Sequence, residues 1–192
     1  MSTTQPIRLD EDIQKLKNYF LDREEYRNYL LVTFGLNTAL RISDILTLKW
    51  NDVYQFDKKI FSKYIYITEQ KTQKQNQILL NATIIDAIKI YLKYNPKATP
   101  EEYLFKSAKR PSEPITRVQA YRIIKGAAQK LGIEGIISCH SLRKTFGYHA
   151  WKSGAEPALI MNVYNHSSFQ ITKRYLGIEQ DDKDELFFKI NL

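Results

Sequence analysis

Apolar residues recur at helical spacing through most of this chain and give way to strand-like composition in one central stretch. Ile13, Leu16 and Phe20 share a face and predict a helix over 9–20, with Asp10 placed to cap it. Tyr26, Leu30 and Phe34 predict a second helix over 23–36, followed by a short turn at 36–40. Ile42, Ile45 and Leu46 begin a third helical pattern that closes near Trp50. From 60 to 68 the chain is rich in aromatic and β-branched residues, which suit a pleated surface. A polar run over 69–77 and an apolar return at Ile78-Leu79-Leu80 then predict a hairpin with a long basic connection. Helical patterns resume at 82–94 and at 116–131, the latter closed by Gly132. Between them Pro96, Pro100, Pro111 and Pro114 mark loop around a short strand at 103–105. The remainder reads as helices at 141–152, 157–164, 169–176 and 184–190. The expected class is α+β, mostly α, with one small antiparallel sheet.

Length and composition narrow the reading. A chain of 192 residues with 43% hydrophobic content fits a single domain with a real core, expected to span 1–192 with a flexible arm over 1–8. The net charge of +8 favours a polyanionic partner, nucleic acid or an anionic surface, although a plain solvated basic surface accounts for it equally. No run approaches the ~20 apolar residues of a membrane span, and the polar start has no secretory signal character. Cys139 is the one cysteine, so no internal disulfide forms and a reducing cytoplasm is the expected home. It reads as a small buried residue rather than a nucleophile. Three scattered histidines and one cysteine make no ligand cluster, so neither metal nor cofactor is expected. A membrane-surface role is the weakest option, because the cations do not gather on one amphipathic helix.

The chemistry concentrates in the last third. His140-Ser141-Leu142-Arg143 places an imidazole and a guanidinium three apart at an expected helix start, with Ser141 as cap. Arginine offers a planar fork matched to phosphate oxygens, and histidine exchanges protons near neutral pH. His166 and Tyr175 follow, nine apart, with Ser167, Ser168 and Thr172 between them as phosphate ligands or, more commonly, helix caps. Lys173 and Arg174 adjoin Tyr175 and would favour ionisation of its hydroxyl. Upstream, Arg41 begins a helix with Asp44 three residues on to orient it, or to form an ordinary surface ion pair. Either Lys71 or Lys74 in the hairpin connection could reach over a bound phosphate, and plain solvation is the bland reading of each. Arg117, Arg122 and Lys125 flank an apolar stripe of Val118, Ile123 and Ala127 and could lie along a polyanion.

In order, Arg41, Lys71, His140-x-x-Arg143, His166 and Tyr175 resemble the signature of the tyrosine site-specific recombinases, the phage integrase family. Thr38-Ala39-Leu40-Arg41 looks like the first arginine box, with Ala39 where the family usually has glycine. Glu69-Gln70-Lys71-Thr72 is similar to the hairpin-lysine box, and His140 through Phe146 to the H-x-L-R-H-T-F box, with Lys144 at its second histidine. Asn165-His166-Ser167-Ser168 through Tyr175 resembles the L-G-H-S-S…T-x-x-Y ending, with Asn165 for a glycine. The match runs from about Leu9 to Gly177.

The resemblance implies a DNA recombinase for integration, excision or inversion that works through a 3′-phosphotyrosyl intermediate made by Tyr175. It implies Arg41 and Arg143 on the scissile phosphate, Lys71 on the departing 5′ oxygen, His140 and His166 as proton and phosphate partners, and Asp44 as support. It implies double-stranded DNA as partner, contacted by Arg117, Arg122, Lys125, Lys173 and Arg174, with a tetrameric synapse and an accessory DNA-bending protein as companions. The chain is expected to be a small form of the family, or else the catalytic portion of a longer protein. Its tail, 177–192, is expected to pack on its own chain or to exchange between protomers. The competing readings are a relaxing enzyme with the same chemistry and a catalytically silent DNA-binding regulator with the same fold.

Overall fold

The computed structural model describes residues 4–71 and 73–190, with the side chains of 180 and 182 left aside. Among the described residues, ten helices and two hairpins follow most of the sequence pattern. Helix α1 (Asp10–Leu21) buries Leu16 and Phe20, and α2 (Tyr26–Thr38) is buried along nearly its whole length. Asp10 does not cap α1; it is the first helical residue after Leu9. The third pattern divides into two single turns, α3 (Ile42–Ile45) and α4 (Trp50–Val53). The break puts Leu48 and Trp50, both buried, into the core.

The central stretch holds two antiparallel hairpins rather than one sheet. Strand β1 (Tyr54–Gln55) pairs with β2 (Ile60–Phe61), and β3 (Tyr64–Thr68) pairs with β4 (Gln75–Leu79). Two-residue strands are too short to show a period, which hid the first hairpin in the sequence. Polar residues 75–77 belong to β4, so the connection shrinks to 69–74. Residues 103–105 meet Lys49 only through an isolated bridge.

Helices α5 (Ala82–Tyr94) and α6 (Arg117–Lys130) pack beside α2 and α7 (Cys139–Lys152). On α6 the buried face is Ala120, Ile124, Ala127 and Ala128, whereas Val118 is 56% exposed. The stripe read from Val118 and Ile123 was therefore rotated from the true one. Helix α7 begins at Cys139, capped by Ser138 in a reciprocal box with Ser141, so Ser141 lies inside the helix. Leu142 on α7 fits against Gly35 of α2, where even a Cβ would lie 2.6 Å from its Cδ1. Helices α8 (Pro157–Tyr164) and α9 (Phe169–Leu176) close over α7 in a second apolar cluster of Ala39, Tyr148, Ile160, Tyr164, Leu176 and Ile178.

Residues 4–8 are not a loose arm. Ile7 is buried, and its N–H donates to Thr145 Oγ1 at 2.8 Å. Gln5 N donates to Ile136 O at 3.3 Å, and Arg8 donates to Gly177 O at 3.0 Å. An apolar side chain with a slot to fill outweighs the polar composition around it. Residues 1–3 lie outside the described part. Helix α10 (Glu179–Lys189) is longer than the sequence pattern indicated, and Leu186, Phe187 and Phe188 are 56%, 76% and 89% exposed.

Candidate active site

Two left-handed turns set the frame. Ala39, at the end of α2, has φ 53°, and Asn165, at the end of α8, has φ 55°. Asparagine enters this region readily; alanine does so at a cost of about 1–2 kcal/mol. The turn keeps its conformation without glycine, and the packing of the Ala39 methyl in the second cluster offsets part of that cost. The turn also aims the Ala39 carbonyl at Arg143, whose Nη1 donates to it. Two residues later Arg41 enters the site at the start of α3.

Arg143 is 4% exposed. Its guanidinium lies 4.7 Å from the centre of the Tyr164 ring, and its backbone carbonyl accepts from Tyr164 Oη at 2.5 Å. Tyr175 projects from α9 into the same place. Its ring meets His166 edge to face at 5.3 Å, and Lys144 Nζ sits 5.2 Å from its centre. Burial raises the Tyr175 hydroxyl above its usual range, while the charge and hydrogen bond of Arg143 and the charge of Arg41 pull it back. Arg143 and Arg41, rather than Lys173 and Arg174, are thus the cations that act on this hydroxyl. Adjacency in sequence misled here, because neighbours on a helix point about 100° apart. Lys173 instead lies over Phe169 at 5.6 Å, and Arg174 is exposed.

Histidines 140 and 166 both sit below their ordinary 6.5. For His140 the causes are desolvation, then Arg143, Lys144, Arg41 and Arg117. For His166 they are desolvation, then Arg143 and Arg41. His166 Nδ1 is 3.1 Å from Thr172 Oγ1, which fixes the ring, and Ser168 caps α9 by accepting from Ile171 N. His149, the third histidine, donates from Nε2 to Ile7 O at 3.0 Å and stays outside the site.

Arg41, Lys71, His140 and Arg117 line an open cleft of about 830 Å³ whose floor includes Ser138 and Cys139. Arg41 lines this cleft, and its charge together with that of Arg143 is felt by His140, His166 and Tyr175. The two hairpin lysines separate clearly. Lys71 faces the cleft, whereas Lys74 donates to Asn165 Oδ1. Arg122 is exposed on α6, and Lys125 lies over Tyr121 at 5.5 Å. Cys139 is partly buried and its thiol is pushed up to about 11, mainly by desolvation, which fits core filler and not a nucleophile.

Asp44 does not orient Arg41. It is 1% exposed, its Oδ1 accepts from the Gln70 backbone N–H at 3.1 Å, and its Oδ2 has no partner among the described residues. The carboxylate on Arg41 is Glu69, 3% exposed, whose Oε2 accepts from Nη1. A carboxylate beside a phosphate-type pocket runs against simple charge reasoning, and the sequence reading passed over it. The signal was available in the alternation of β3: Ile65 and Ile67 point inward, and the next inward position is 69.

The family model for "Phage integrase family" matches residues 8–181. The chain belongs to this family. As a tyrosine recombinase catalytic domain it is 45% identical to "Probable integrase/recombinase YoeC" of Bacillus subtilis (strain 168), covering 94% of this chain and 93% of that protein. Its fold matches a crystal structure of XerA recombinase with TM-score 0.75 at 21% identity, over 98% of this chain and 67% of that one. A XerH recombinase bound to palindromic difH substrate matches with TM-score 0.71 at 20% identity, over 91% of this chain and 50% of that one. Against other curated recombinases the chain spans about 60% of their length. No helix among the described residues is long and apolar enough to cross a membrane.

Proposed function

We propose that this recombinase cuts and rejoins DNA strands at defined sites, with Tyr175 as nucleophile. The observation that carries the reading is the partly buried Tyr175, whose hydroxyl accepts from Arg143 and whose ring meets His166 within one chain. The phenolic oxygen attacks phosphorus, the bond to the 5′ oxygen breaks, and a 3′-phosphotyrosyl link remains. Its proton passes to His140, which is neutral at pH 7 and so able to accept it. Arg41 and Arg143 hold the non-bridging oxygens, where charge accumulates in the transition state. Lys71 gives its proton to the departing 5′ oxygen, and His166 donates to the phosphate. Rejoining reverses each step with a new 5′ hydroxyl. The exchanged ester retains the energy of the original, so no nucleotide cofactor is needed.

Double-stranded DNA lies across the cleft against Arg117, Arg122, Lys125, Lys173 and Arg174 in this reading. Two sites with two strands each call for four subunits and for DNA bending, with help from an accessory protein. The exposed apolar residues of α10 support exchange of the tail between protomers, since they are not packed on their own chain. The chain acts as one catalytic domain in the cytoplasm.

The test is a nicked duplex that traps the covalent intermediate. Wild-type protein is expected to give a denaturation-resistant protein–DNA band that Tyr175→Phe abolishes, with loss of at least about 10³-fold. A band that persists in Tyr175→Phe contradicts the assignment. Recombinant product that requires two defined sites separates a recombinase from an enzyme that merely relaxes supercoils.

A further inference from the structure

We propose that Glu69 is a positioning residue that ties the Lys71 turn to Arg41 and so places the general acid. The inference rests on the role given to Lys71 above. The turn at 69–74 projects from the end of β3, and Lys71 at its tip is exposed. A flexible lysine on an exposed turn is a poor proton donor unless something fixes the turn. The fixing contacts fall on the two residues just before it. Glu69 Oε2 accepts from Arg41 Nη1, and the Gln70 backbone N–H donates to Asp44 Oδ1 at 3.1 Å. Both partners belong to the segment that opens α3.

Glu69 is itself held from two sides. Asn76, across the hairpin on β4, donates from Nδ2 to Glu69 Oε1 at 3.0 Å. The backbone of Glu69 closes the turn as well, donating to Lys74 O at 2.9 Å and accepting from Gln73 N at 2.8 Å. One residue therefore links the turn's own hydrogen bonding to the phosphate-side arginine. A buried carboxylate so near a phosphate site repels the substrate and must be offset by what it positions. The arginine fork has five donors, so the edge given to Glu69 leaves others for phosphate oxygens.

The reaction supplies the test. Tyr175 Oη bonds to phosphorus as the bond to the 5′ oxygen breaks, and that oxygen takes the Lys71 proton. A duplex with sulfur at the 5′ bridging position releases a thiolate, which leaves without protonation. Glu69→Gln is expected to slow adduct formation on the oxygen duplex on the order of 10- to 100-fold, the scale of an ångström-sized misplacement. Most of that loss should disappear on the sulfur duplex, as it should for Lys71→Ala run beside it. Asn76→Ala should show a smaller loss with the same selectivity, and it serves as the deciding variant if Glu69→Gln does not fold. Equal loss on both duplexes, or no loss on the oxygen duplex, overturns the proposal and assigns Glu69 to Arg41 or to the fold. Failure of sulfur to rescue Lys71→Ala removes the general-acid role and this proposal with it. Absence of wild-type adduct on either duplex removes the strand-cleaving reading itself.

Discussion

Arg143 shows how a single cation can be buried without being wasted. Its charge is met by the Ala39 carbonyl and by the face of Tyr164, neither of them an anion. An ion pair with a carboxylate would have cancelled the charge that a phosphate needs, whereas a carbonyl and a π face leave it in place. Desolvation, and after it the same positive field, holds His140 and His166 below 6.5. In the DNA-free protein both rings are therefore expected to titrate below 6.5, followed through their carbon-bound ring protons by NMR. Titration of either above 7 contradicts the placement. The consequence for stability follows from proton uptake. An unfolded chain protonates these histidines first, so their effect is neutral well above pH 6.5 and stability is lost as pH falls through that value. Thermal midpoints measured from pH 8 to pH 5.5 should decline, and the decline should be shallower in His166→Asn.

At the level of elements, the site depends on how closely α7 can approach α8 and α9. A Cβ on Gly147 would lie 2.6 Å from Leu176 Cδ2 and 2.6 Å from Tyr164 Oη. Gly147→Ala should therefore cost about 1–3 kcal/mol in denaturant unfolding and reduce adduct formation, because α9 carries Tyr175. Gly126 on α6 has nothing within 4 Å of the same position, so Gly126→Ala should stabilise by about 0.5–1 kcal/mol. A Gly147→Ala protein as stable as wild type would refute the packing argument. The predicted bounds of α5, α8 and α9 coincide with the observed ones, because each has a strong cap or a proline at its start and an apolar face. The weaker readings failed for local reasons. Helix α6 is faced by alanines, which carry little pattern, and α3 and α4 are too short to define a period. That Arg41, His140, Arg143, His166 and Tyr175 would lie near one another was readable from residue type, order and the family resemblance. Their partners were not, since Glu69 for Arg41 and Ala39 for Arg143 are long-range contacts made only by folding.

Over the whole molecule, a net charge of +8 favours attraction to DNA, and in the proposed reading the cleft is where that charge is used. Arg117 lines that cleft at the start of α6, as Lys71 does from its turn. If it meets a phosphate, Arg117→Ala should weaken binding about equally across DNA sequences and reduce the salt slope by about 1. Binding isotherms at several salt concentrations check this, and an unchanged slope would place Arg117 away from the backbone. The near-complete overlap with the Bacillus subtilis relative and the partial overlap with the longer recombinases describe one shared catalytic unit. In this chain Arg41, His140, Arg143, His166 and Tyr175 all fall within the stretch matched by the family model.

The most direct measurement is to locate the DNA on the protein. After trapping on a nicked duplex and digestion with trypsin, mass spectrometry identifies the peptide that carries the nucleotide. The account predicts attachment to the peptide over 175–183, at its first residue, Tyr175. Attachment at any other of the 13 tyrosines, Tyr164 included, would contradict it.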